Sequence, residues 1–155
     1  MFTTDFEPYA VPGDTIVCNV GVFHCVASLH ADDDTTPPDQ RDDGFWPSKN
    51  PSDAGYVLPE NYEVEMAKAA RVMQAWKNDE WHYVGVEVRV YCHGVCLTRD
   101  YEHAVWGIEC NWPGSNNSHL RTVANDLLPE ALAQAKLKLA ALVSTAEEPW
   151  LVVAV

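Results

Sequence analysis

Between Tyr83 and Cys92 the chain alternates, with Val84, Val86, Val88 and Val90 in one set and Tyr83, Glu87, Arg89 and Tyr91 in the other. Successive side chains of a strand point to opposite faces, so this period of two puts the four valines on one side and the polar and aromatic residues on the other. Strands of an all-parallel sheet, covered on both faces, read instead as continuous apolar runs. The expectation is a half-buried antiparallel strand that needs an apolar layer against its valines. His93-Gly94 supplies the following turn, Val95 to Thr98 a return strand, and Ala104, Trp106, Ile108 and Cys110 the inward face of a third.

Upstream, residues 15 to 29 are β-branched or apolar, with Asn19 to Gly21 interrupting them, which predicts a hairpin or one long bulged strand. The period then becomes helical. From Glu60 to Lys77, Met66, Ala69, Ala70, Met73 and Trp76 recur at helix spacing, and Glu60, Glu63 and Glu65 gather in the first turns, where the helix dipole favours carboxylates. Ser118 caps a second helix with the apolar face Leu120, Val123, Ala124, Leu127, Leu128, Ala131, Ala135, Leu139 and Leu142, which Pro129 is expected to kink or divide. Trp150 to Val155 reads as a last strand or an apolar end that needs cover. Together these elements predict an α+β fold, an antiparallel β-sheet with two α-helices packed on one face, in a single domain over residues 1 to 155. At 155 residues and 47% hydrophobic content, such a domain needs neither metal nor disulfide to hold it.

Charge is distributed unevenly. Residues 1 to 65 hold 13 Asp/Glu against Arg41 and Lys49, a net of −11, whereas residues 66 to 155 hold 10 against eight, a net of −2. Much of the excess lies in a loop at about residues 31 to 59, dense in Asp, Pro, Gly and Ser and longer than a compact domain usually carries without a role. Phe45, Trp46 and Tyr56 are expected to pin its second half to the body. The cluster Asp32, Asp33, Asp34, Asp39, Asp42 and Asp43 reads either as a solvated loop or as an electronegative surface for a basic partner, which would speed encounter. It lacks the ligand spacing of a calcium loop. Over a surface of roughly 7,800 Å² the net charge is one per ~600 Å², against one per ~100 Å² for duplex DNA, so any imitation of nucleic acid is confined to a patch formed by these Asp residues with Glu60, Glu63 and Glu65.

Other chemistry is weakly signalled. Five cysteines leave an odd thiol and form no dense secreted framework, so reduced, buried thiols are expected, as is a cytoplasmic setting, since the N-terminus shows no basic and apolar leader pattern. Cys92 and Cys96 are spaced for one half of a zinc site, but Cys18 and Cys25 stand seven apart and His24 would point away from Cys25 on a strand. Cys110 with His103 or His119 is the one combination suggestive of a nucleophile and base, and Cys110 falls on an inward strand position. The loop Pro113 to His119 has no Lys and no Walker pattern for phosphate, and a platform of Trp76, Trp81, Trp106 and Trp112 for bases conflicts with a pI of about 4.6. No cofactor, no direct nucleic acid and no membrane partner is expected.

Three stretches carry a resemblance: RDDGFWPSKNPSDAGYV at 41 to 57, AWKNDEW at 75 to 81, and WGIECNWPGSNNS with VANDLLPEAL between 106 and 132. They resemble an uncharacterised group of small acidic proteins encoded by bacteriophages, prophages and plasmids, over most of the chain beyond residue 30. The resemblance implies a genomic setting and no catalytic residues; small acidic phage proteins often inhibit host restriction or CRISPR machinery. The expectation is therefore a non-enzymatic inhibitor in the bacterial cytoplasm, docking the Asp32 to Asp43 stretch and the first turns of the Glu60 to Lys77 helix on a basic groove of a defence nuclease or its targeting complex. The alternatives are a small zinc- or cysteine-dependent enzyme built on Cys92, Cys96 and Cys110, or a structural phage protein that assembles through Trp150 to Val155 or an edge strand.

Overall fold

The structure is a computed structural model and describes residues 1–146. Five strands, β1 (Thr15–Val20), β2 (Phe23–Ala31), β3 (His82–Cys92), β4 (Val95–Cys96) and β5 (Ala104–Cys110), form one antiparallel sheet, and two helices, α1 (Tyr62–Lys77) and α2 (Ser118–Ala146), complete an α+β fold. The sheet runs β1-β2-β3, and the short β4 and the longer β5 share the remaining edge of β3. Residues 15 to 31 make the hairpin, closed by Gly21 at φ 59, a conformation that glycine adopts without strain.

The valine rule holds. Val84, Val86, Val88 and Val90 join Phe23, Cys25, Ala27 and Leu29 of β2 in the core, against Leu120, Ala124, Leu128, Ala131 and Ala135 of α2. The other face of β3 is also covered: Tyr83 and Glu87 are 4% and 2% exposed, so β3 is a central strand and not the half-buried one that alternation predicts. Two satellites bring this about. Trp76 of α1 packs with Trp81 and Tyr83, ring centroids 4.8 and 5.4 Å away, and Trp112 closes on Trp81 at 4.6 Å. Tyr101 and Trp106 cover the middle of the strand. The helices thus divide their work, since α2 lies on the valine face while α1 meets the chain through Tyr83, whose side chain points the other way.

Pro129 does not divide α2, which is continuous over 29 residues. A proline inside a helix costs about 3 kcal/mol or more. Buried residues on both sides of it, Ala124 and Leu128 before and Ala131 and Ala135 after, hold both halves on the sheet and offset that cost. Leu139 is the last α2 residue packed against the core, and Leu137, Leu142 and Val143 are at least half exposed. The strand predicted at Trp150 to Val155 lies outside the described residues. Among the described residues no helix is long and apolar enough to cross a membrane.

The N-terminal residues have no local periodicity, yet they contribute Phe2, Phe6 and Ala10 to the core. Polar clamps hold them there. Asn125 of α2 accepts from the Phe2 N–H at 2.8 Å and donates to the Phe2 carbonyl at 3.1 Å. Asn117, fully buried, donates to the Pro8 carbonyl at 3.0 Å and to Asn111 Oδ1 at 2.8 Å, while its own oxygen accepts from the Asn111 N–H.

Candidate docking surface

The acidic stretch begins where β2 runs out at Ala31. Asp32 is not a free charge: its Oδ2 accepts from the Gly107 N–H at 2.7 Å. That amide is available because β5 bulges. Val86 pairs with Val105 but Val84 pairs with Ile108, so β5 carries one extra residue there, and Gly107 takes φ 73. The bulge corrects the predicted inward face of β5. Ile108 and Cys110 point into the core as expected, but Trp106 is turned to the opposite side, where it lies on Gly85 so closely that a Cβ there would sit 2.4 Å from its ring.

Trp106 is 44% exposed and, with Asp32, Asp33, Asp34 and Arg41, lines an open concavity of about 810 Å³. Asp33, Asp34, Asp39, Asp42 and Asp43 are exposed, and among the described residues only Asp43 has an ion-pair partner, the Nε of Arg41 at 2.9 Å. Arg41 also lies over the Tyr83 ring, 5.1 Å from its centroid, which ties the middle of the loop to the sheet. Burial pushes the Tyr83 phenol above its ordinary value, so it stays a neutral partner for the guanidinium. Further along, Lys49 sits 4.3 Å over Tyr62, and Ser48 bridges Tyr56. These cation-ring contacts pin the loop where aromatic anchors were predicted: Phe45 is half-buried, but Trp46 and Tyr56 remain 39% and 40% exposed.

Glu63 lies at the start of α1, whereas Glu65 lines a second concavity together with Gly44 and Phe45 of the loop. Arg41 stands by Tyr83 and hence by Trp76 in the last turn of α1, whereas Glu63 is in the first, about 20 Å away along the axis at 1.5 Å per residue. Glu65 pairs with Lys68 at 2.6 Å, and α1 carries Lys68, Arg71 and Lys77 against Glu63 and Glu65. The strongest unbalanced charge is therefore the Asp33 to Asp43 edge beside Trp106.

Beneath this edge lies a group that alternation gave no reason to single out. Glu87 accepts from the Tyr101 N–H through Oε1 at 2.7 Å and meets His30 Nε2 through Oε2 at 2.8 Å, and Ser28 Oγ lies 3.1 Å from the same nitrogen. His30 packs edge-on to Tyr101 at 5.3 Å and next to Trp106 at 6.2 Å. A nucleophilic triad uses both imidazole nitrogens, one for the acid and one for the hydroxyl. Here both partners share Nε2, so the trio holds the aromatic pair in place and does not activate Ser28.

The cysteines are unsuited to the predicted alternative chemistry. All five are free thiols, and Cys25, Cys92 and Cys110 are buried. Burial pushes the Cys110 thiol up to about 11, the reverse of nucleophile activation, and its Sγ donates to the Ala10 carbonyl. His119 is bonded instead to the Glu109 carbonyl at 2.7 Å. Among the described residues no group of three His, Cys, Asp or Glu side chains is placed to hold a metal. No protein-family model, curated protein or solved structure matches the chain.

Proposed function

We propose that this protein acts by binding and not by catalysis, and that its partner presents a basic surface of the kind that otherwise holds nucleic acid. The observation that carries the reading is the concavity in which Trp106 stands beside Asp33 and Asp34, with Asp39, Asp42 and Asp43 exposed along the same loop and only Arg41 to offset them. Protein interfaces draw their energy from a few aromatic or arginine anchors within a polar rim, and complementary charge sets encounter rate and selectivity. Trp106 and Tyr101, 44% and 56% exposed, provide the anchors, and the aspartates provide the rim. Glu60 and Glu63 extend the negative field at a distance, and Glu65 adds little because Lys68 neutralises it.

The resemblance to small acidic phage and plasmid proteins supports a defence nuclease or its targeting complex, restriction or CRISPR, as the partner, met in the bacterial cytoplasm. The test is titration of the protein into a panel of purified restriction endonucleases and CRISPR effectors while their DNA occupancy is read by fluorescence anisotropy. Displacement of DNA from one of them at low salt, weakening as salt rises, supports the reading; undisturbed DNA binding across the panel at low salt contradicts it.

Self-assembly is a second reading, favoured by the exposed Leu137, Leu142 and Val143 in the C-terminal part of α2. Sedimentation velocity across concentrations distinguishes it: a concentration-dependent rise in mass that Leu142→Glu removes supports assembly, and a constant monomer mass contradicts it.

A further inference from the structure

Register sets two thiols against each other. In the β1-β2 hairpin Val20 and Phe23 close the turn, and two positions further from it Cys18 lies opposite Cys25. Both side chains point to the core face: Cys25 has no exposure, and Cys18 packs against the same core from the edge strand while remaining partly exposed. Directly opposed residues in an antiparallel pair have Cα atoms about 4.5 to 5.5 Å apart, inside the range of about 4.4 to 6.8 Å that a disulfide spans. The other thiols are not opposed in this way. Cys92 is paired with Val95 and Cys96 with Tyr91, which places those two on opposite faces, and Cys110 is paired with His82.

We propose that Cys18 and Cys25 form an oxidation site, a dithiol that a peroxide converts into a cross-strand disulfide. The Cys18 thiolate attacks one peroxide oxygen, the O–O bond breaks, and Cys18 becomes a sulfenic acid as hydroxide leaves. The Cys25 sulfur then attacks the Cys18 sulfur; the S–S bond forms, the S–O bond breaks, and the hydroxyl departs with the Cys25 proton as water. Two thiols are oxidised and one hydrogen peroxide is reduced to two waters. Exposure fixes the order, because solvent reaches Cys18 and not Cys25. Burial, reinforced by the neighbouring Cys18, pushes the Cys25 thiol up to about 11, so it remains protonated until a sulfenic acid appears beside it. The bond staples the edge strand β1 to β2, the strand that leads into Asp32.

The experiment needs only the native chain. Arg41 is the first Lys or Arg, so trypsin releases residues 1 to 41 as one peptide whose two cysteines are Cys18 and Cys25, while Cys92 and Cys96 fall together in residues 90 to 99. Native protein is treated with hydrogen peroxide, alkylated, digested and weighed. The 1 to 41 peptide is expected to refuse alkylation and to be about 2 Da lighter than its reduced form, the two lost hydrogens returning on treatment with dithiothreitol. Cys25→Ser is expected to leave a sulfenic acid on Cys18 that dimedone traps. A 1 to 41 peptide that takes up two alkyl groups after peroxide, or a loss of two hydrogens that appears in residues 90 to 99 instead, overturns the proposal.

Discussion

Removing the Glu87 carboxylate tests how the docking edge is held together. The side chain is 3% exposed and has two bonds, one from the Tyr101 N–H at 2.7 Å and one from His30 at 2.8 Å. A hydrogen bond to a charged group contributes about 1.5 to 3 kcal/mol, so the two bonds to this carboxylate together account for about 3 to 6 kcal/mol. Glu87→Ala leaves the Tyr101 amide without a partner and the His30 ring with Ser28 alone, so a loss of about 3 to 5 kcal/mol in urea unfolding is expected. Glu87→Gln keeps an oxygen for Tyr101 and a polar side chain against the His30 ring, and should lose only about 1 to 2 kcal/mol by the same reasoning. Amide exchange gives the local readout. Tyr101 holds φ 59, an unfavourable value for a non-glycine residue, so without the Glu87 bond its amide should lose protection before the β2 and β3 amides do. If Glu87→Ala unfolds within about 1 kcal/mol of the parent and Tyr101 stays protected, the carboxylate does not organise this surface.

Other changes probe neighbouring parts of the account. Gly85→Ala puts a Cβ 2.4 Å from the Trp106 ring, so the indole must lift; partner binding should fall while urea stability drops by about 1 to 3 kcal/mol, and unchanged binding would place Trp106 outside the interface. Asn117→Ala removes bonds to Pro8 and Asn111 and should cost about 3 kcal/mol, with amides of residues 2 to 10 exchanging faster, checked by hydrogen exchange with mass detection. Cys25 and Cys110 are raised from 9.0 to about 11 in the folded chain. Their neutral thiols therefore contribute stability that is complete below pH 9.0 and falls as pH rises toward about 11, because there the unfolded chain has released protons that the folded chain retains. Unfolding in urea from pH 8 to 11 should show this decline, and Cys110→Ala should flatten it.

Much of the scaffold was legible because strands and helices announce themselves by period. The alternation from Tyr83 to Cys92 located the central strand, and the spacing from Leu120 to Ala135 located the helix that covers it. What escaped depended on events remote in sequence. A glycine within a strand pattern has several readings, so nothing local to Gly107 revealed the bulge that turns Trp106 outward onto Gly85. Glu87 shares a strand face with Tyr83 and Tyr91 and looks solvent-facing until Tyr101 and His30 close over it. Phe2, Phe6 and Ala10 follow no periodicity because their segment forms no helix or strand and is held by Asn117, just before α2, and Asn125 within it. Along the acidic stretch composition found the aspartates but could not tell which are consumed internally: Asp32 caps the bulge amide, Asp43 pairs with Arg41, and Asp33, Asp34, Asp39 and Asp42 are left to act outward. Of the Glu residues read as part of the same face, Glu63 stands about 20 Å along α1 from the turn that meets Arg41, while Glu65 is paired with Lys68.

The most direct measurement compares the chain with a variant carrying Asp33→Asn, Asp34→Asn, Asp39→Asn, Asp42→Asn and Asp43→Asn, in the DNA-displacement titration against a susceptible nuclease, at low and high salt. Exposed ion pairs contribute about 0.2 to 1 kcal/mol each, so the five changes together should weaken binding by at least about fivefold at low salt, and the gap should narrow as salt screens the charges. Equal affinity of the two proteins at low salt, with both correctly folded, would contradict a docking surface built on these aspartates.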